Sequence, residues 1–201
     1  AGPPPVGLCR IVCIFVAGMV SPARSGLAGP ASTMSRPILP ISLSLALAIS
    51  ACASSGTYRN GVFEGPLVVY RVDAPSDGWH FVHFSGNDLA WGGPSGEVIA
   101  INSECEDHGD PSLAVLTNHL LIGFEDRVVR ERESLRISDR GALRTRLSAS
   151  LDGVPVEMEL TVLKKDGCVY DLTYLAPPER FDEHLPTYRK VVASFQAPGR
   201  R

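Results

Sequence analysis

The first 51 residues contain no aspartate, no glutamate and no lysine; their only charges are Arg10, Arg24 and Arg36. All 22 acidic residues come later, so residues 1–51 are formally +3, while residues 52–201 carry 16 cations against 22 acids and are −6. A basic, acid-free, apolar leader has the composition of an export signal rather than of a folded quarter of a domain. The chain also lacks any uninterrupted apolar run of the ~20 residues that a membrane-spanning helix needs. The apolar stretch Ile38–Ile49 is too short and is broken by Pro40 and serines. No glycine-rich phosphate loop occurs, and no G-x-S-x-G nucleophile elbow. The acidic balance after residue 51 argues against nucleic acid as a partner, which would need a basic face.

What is present begins at Met34. "MSRPILPISLSLALAISAC" has a short basic start, an apolar stretch of signal-peptide length and small residues before Cys52. Ile49-Ser50-Ala51-Cys52 resembles the lipobox of bacterial lipoproteins, an aliphatic residue, a small residue, Gly/Ala/Ser, then Cys. The resemblance implies that cleavage precedes Cys52, that Cys52 carries a diacylglycerol thioether and that its new amino group is acylated, palmitate being the expected acyl type. Several acyl chains make a stable anchor where one alone binds only marginally. A plain cleaved signal with an incidental cysteine is the rival reading, and a retained signal anchor the minor one. Ala53, where lipoproteins retained in the inner membrane carry Asp, points to the outer membrane and its periplasmic face. Residues 1–33 read as an over-extended start, with a longer targeting leader as the alternative; residues 34–51 read as the signal peptide and 52–66 as a flexible tether.

The remainder, 67–196, reads as one α+β domain. Residues 67–73 and 79–84 have strand character, and 88–91 and 97–103 form a hairpin across GGPSG. Asp110 as N-cap and Pro111 at the first helical position begin a helix bearing Leu113, Leu116, Leu120 and Leu121 on one face and ending before Gly123. Residues 127–176 read as a four-strand meander. Asp152-Gly153 is a two-residue hairpin signal that sets Leu147 opposite Met158, Ala149 opposite Val156 and Arg146 opposite Glu159. A three-residue loop, Lys165-Asp166-Gly167, then sets Val162 opposite Tyr170 and Leu160 opposite Leu172. Pro186 opens a last helix with Tyr188, Val191, Val192 and Phe195 inward.

This order implies an antiparallel β-sheet packed with helices. "GCVYDLTYLAPPERF" followed by "YRKVVASF" resembles the end of PsbP-like domains. The resemblance implies an α/β/α sandwich and a non-catalytic assembly or accessory module; it carries over no functional residue.

Cys105 and Cys168 are the even pair left in the exported part, so a disulfide is expected. Cys105 to His108 offers one Cys-x-x-His with no second ligand pair, and His80 and His83 point to opposite faces of a strand; no metal and no cofactor are expected. Arg130, Arg132 and Arg136 share one strand face, and Arg144 and Arg146 another. They read as a solvated face paired with Glu157 and Glu159, or as a docking face for an anionic partner. Glu131 and Glu133 then fall inward, so that either they line a cleft or, the preferred reading, the register fails at that edge strand. The expectation is a lipid-anchored periplasmic domain that binds an unknown envelope protein or ligand and catalyses nothing; the alternative is a cell-envelope hydrolase.

Overall fold

The computed structural model describes residues 56–76, 78–84, 86–105 and 109–200. Residues 1–55, on which the leader, signal-peptide and Cys52 readings fall, lie outside the described residues. The element that follows overturns part of the tether reading. β1 (Thr57–Arg59) and β2 (Val62–Glu64) form a hairpin around Asn60-Gly61, whose φ values of 51° and 75° suit Asn and Gly. β2 pairs with β3 (Val68–Arg71), and β3 with the last strand, β11 (Gln196–Arg200), making a four-stranded sheet. The domain therefore takes in part of the stretch read as tether and runs past residue 196 to the end of β11.

The larger sheet has seven antiparallel strands. In chain order they are β4 (His80–Phe81), β5 (Leu89–Gly92), β6 (Val98–Glu104), β7 (Glu125–Ile137), β8 (Arg140–Leu151), β9 (Val154–Lys165) and β10 (Cys168–Ala176). In space they run β4-β5-β6-β10-β9-β8-β7. The expected meander is β7 to β10, and the hairpin at Asp152-Gly153 pairs Leu147 with Met158, Ala149 with Val156 and Arg146 with Glu159. The next turn differs from expectation. Asp166-Gly167 is a two-residue turn with φ 52° and 78°, and it pairs Tyr170 with Leu163 and Leu172 with Thr161. β10 is buried along its whole length. Both of its faces are covered, the one with Asp171 and Thr173 included, so polarity along this strand does not mark an outer face.

α1 (Leu113–Leu120) covers one face of this sheet, with Leu116 packed on Val162 and Val169. Its N-cap is Ser112, whose Oγ accepts from the Val115 amide, two residues beyond the expected Asp110. Asp110 is instead ion-paired with Lys164. α2 (Phe181–Ser194) lies on the opposite face, where the Tyr188 hydroxyl donates to the Leu172 carbonyl at 2.8 Å. Pro186 sits inside α2 rather than opening it; buried Phe181 and Leu185 fix the turn ahead of it. The fold is thus mostly antiparallel sheet with two helices, richer in strand than an α/β/α sandwich, because α2 shares its face with the small sheet. Between that sheet and the large one, Tyr70 stacks on Phe63 at 4.8 Å and meets Tyr170 and Phe195 at 6.1 and 5.3 Å. Among the described residues, no helix is long and apolar enough to cross a membrane.

Candidate functional site

Where the β1–β2 hairpin meets the β4–β5 edge of the large sheet, the two sheets diverge and leave a cleft of about 390 Å³. Gly56, Tyr58 and Phe63 form one wall; Phe81, His83, Asp88, Leu89 and Trp91 form the other. Tyr58 meets Trp91 edge to face at 5.8 Å, and Phe81 does the same from β4 at 6.3 Å, with interplanar angles of 79° and 81°. Gly56 closes the cleft at the chain's entry into the fold. A Cβ there would stand 2.2 Å from the Phe63 ring, so only glycine passes.

The polar groups of the cleft are few. Ser103 donates to Asp88 Oδ2 at 2.5 Å, and the Tyr70 hydroxyl points to the same oxygen at 3.4 Å. Burial, and next the Asp88 carboxylate, push the Tyr70 phenol well above its ordinary range, so it stays a donor. The Tyr58 hydroxyl donates to the Val72 carbonyl at 2.8 Å, and burial followed by Asp73 raises its pKa. Phe81, with half its surface (51 %) in solvent, is the exposed lip. An apolar, aromatic cavity with a small number of placed polar groups is the usual form of a small-ligand site.

A second constellation joins the GGPSG turn to α2. Glu97 is 1 % exposed, and its Oε2 accepts from the Ser95 amide at 2.8 Å. Its Oε1 lies 3.6 Å from His184 Nε2, and neither atom has a hydrogen-bond partner among the described residues. Trp79 meets the His184 ring edge to face at 5.9 Å. The nearby Ser95 hydroxyl accepts from Arg180 at 2.9 Å. A carboxylate beside an imidazole can orient an acid–base group, and this pair is the part of the structure most like hydrolase machinery.

Cys105 and Cys168 are joined by a disulfide, with Cα atoms 4.1 Å apart, where β6 ends beside the start of β10. The five arginines read as one docking surface are divided between two faces. Register shifts between Glu125 and Val128 and between Val129 and Glu131 re-phase β7. Arg132 then faces Thr145 and Arg136 faces Gly141, on the α1 side, and Arg130 falls at the second shift. Glu131 and Glu133 lie across from Arg146 and Arg144, on the α2 side. There Arg144 is ion-paired with Glu133, and Arg146 with Glu157 and Asp182 at 3.2 and 3.1 Å, its guanidinium 4.4 Å from the Phe181 ring. Arg144 and Arg146 are thus held by the protein's own acids. His80 and His83 are exposed and share no ligand cluster; among the described residues no group of three or more His, Cys, Asp or Glu is placed to hold a metal.

The cleft was not named from the sequence. Its signal was Asn60-Gly61 between Tyr58 and Phe63, a hairpin that brings two aromatic rings against a strand reading Leu89-Ala90-Trp91.

No family model matches this chain, and no curated protein does. Among solved structures it is similar to cyanobacterial PsbP (CyanoP) from Synechocystis sp. PCC 6803, with a TM-score of 0.48 and 10% identity over 75% of this chain and 95% of that one. It is similar to LpqN, involved in cell envelope biogenesis of Mycobacterium tuberculosis, with a TM-score of 0.48 and 13% identity over 65% and 84%. It is also similar to PA94, a Pseudomonas aeruginosa protein of unknown function, at 0.43 and 13% over 61% and 83%.

Proposed function

We propose that the chain is a lipoprotein, anchored at Cys52 to the periplasmic face of the outer membrane, whose single domain binds a ligand or partner in the cell envelope without catalysis. The observation that carries the binding role is the cleft, whose walls are rings rather than a nucleophile with its base. The anchor rests on the lipobox and the signal ahead of it. A PsbP-like assignment of the domain rests on β10 leading into α2 and closing on Ser194-Phe195, the segment that carries the resemblance.

The two proposals bear on each other through distance. Only four residue steps separate Cys52 from Gly56, which spans at most ~14 Å of extended chain. Since β1 begins at Thr57, the anchor leaves no long tether, and the cleft wall at Gly56 lies within reach of the lipid surface.

An envelope hydrolase is the second reading, and Glu97 beside His184 favours it. The two separate by substitution. Phe81→Ala should abolish the chain's envelope function in a deletion strain, and His184→Gln should leave it intact. The reverse pattern would replace the binding module with the hydrolase.

A further inference from the structure

We propose that the cleft takes the alkylammonium headgroup of a zwitterionic lipid in the membrane that holds the anchor, an inference that rests on the cleft being the binding site and on the anchor at Cys52. Three observations converge on this. Tyr58, Phe81 and Trp91 are set nearly at right angles around one space, with centroid separations of 5.8 and 6.3 Å about Trp91. Ring faces carry negative quadrupole charge, and several rings around one space form the arrangement that attracts weakly hydrated organic cations. Asp88 adds a carboxylate to the same wall. Its Oδ2 already accepts from Ser103 and lies near the Tyr70 hydroxyl, so what this oxygen offers a ligand is charge rather than a new hydrogen bond. That suits an N-methylated ammonium, which has no N–H to donate.

The third observation is position. Gly56 is both a wall of the cleft and the first described residue after the anchor, within ~14 Å of Cys52 along the chain. Phe81 projects at the lip, and aromatic rings at a protein edge favour the headgroup level of a bilayer. A cavity of about 390 Å³ is large enough to hold a headgroup and too small for an acyl chain pair.

The test uses the full-length, membrane-extracted protein and its tryptophan fluorescence, since Trp91 lies in the cleft. Choline and its uncharged isostere 3,3-dimethylbutan-1-ol are the probes. Choline is expected to bind at least tenfold more tightly than the alcohol, and Asp88→Asn is expected to reduce that preference at least threefold, the rings supplying the remainder. Phe81→Ala, whose ring is half in solvent and therefore safe to remove, should weaken choline at least fivefold. Equal affinity for choline and the alcohol, lost on Phe81→Ala, would overturn the cation and leave the cleft as a binding site. Binding of neither probe would overturn both. For the source, the anchored protein is reconstituted in phosphatidylcholine vesicles and in uncharged galactolipid vesicles. Headgroup occupancy predicts that added choline binds at least fivefold more weakly in the former; equal affinities would overturn the lipid assignment.

Discussion

Tyr58 and Trp91 stand edge to face with their centroids 5.8 Å apart, and this contact fastens the first hairpin of the chain to the edge of the large sheet. Their relationship separates stability from ring chemistry. Tyr58→Phe keeps the ring and loses the hydrogen bond to Val72, which should cost about 1 kcal/mol. Tyr58→Ala removes the wall and should cost about 3 kcal/mol. Urea unfolding followed by circular dichroism measures both; equal losses would show that the ring does not support the hairpin.

The disulfide closes a separation of 63 residues. In the chain-entropy account such a closure stabilises by roughly 4 kcal/mol. The Cys105→Ala/Cys168→Ala double variant should therefore unfold at markedly lower urea concentration, and reductant should lower the midpoint of the parent chain but not of the variant.

The Glu159–Arg189 pair makes an asymmetric prediction. Glu159 is 1 % exposed, and Arg189 grips both of its oxygens at 3.0 and 2.7 Å from a partly solvated position on α2. Arg189→Met leaves the buried carboxylate with only Arg144, 4.0 Å from its Oε1, and should cost about 3 kcal/mol. Glu159→Gln leaves an arginine that can turn to water and should cost less. Thermal unfolding that finds Glu159→Gln the more damaging change would contradict this account of how α2 is held.

Alkaline pH should unfold the chain through its buried tyrosines. Burial, then the Asp166 and Asp88 carboxylates, push Tyr170 up to about 12. Burial likewise raises Tyr70, Tyr174 and Tyr188. Unfolded tyrosine ionises near 10, so this stabilisation is complete below about pH 10 and is lost as pH rises from there through the folded values. The urea midpoint should stay flat from about pH 8 to 9.5 and fall above 10. The Tyr170 hydroxyl is buried with no partner among the described residues. Tyr170→Phe should therefore be neutral or up to about 1 kcal/mol stabilising at pH 7, and should soften the alkaline fall. A variant with an unchanged alkaline profile would remove Tyr170 from this account.

The β8–β9 hairpin was legible because each strand has one apolar and one polar side and the turn is Asp-Gly. The β9–β10 register was not, because the alternation of β9 ends at the adjacent buried residues Val162 and Leu163, just before the turn. On β7, Asp126 at φ 50° and two register shifts re-phase a strand whose residues are nearly all exposed, so burial could not correct the count. Asn60-Gly61 was a plain hairpin signal, obscured by the Gly, Ser and Thr residues that made the neighbouring stretch read as tether. The cleft assembles rings from positions 58, 63, 81 and 91, and only the pairing of short strands brings them together.

The mass of the N-terminal peptide, taken from the full-length chain recovered from bacterial membranes, tests the anchored-domain account most directly. The account predicts a peptide that begins at Cys52 and carries a diacylglycerol thioether, and a Cys52→Ser chain that lacks this mass and leaves the membrane fraction. A mature chain with an unmodified Cys52 thiol, or one whose N-terminus lies upstream of it, would contradict the anchor and the placement of the cleft at the lipid surface.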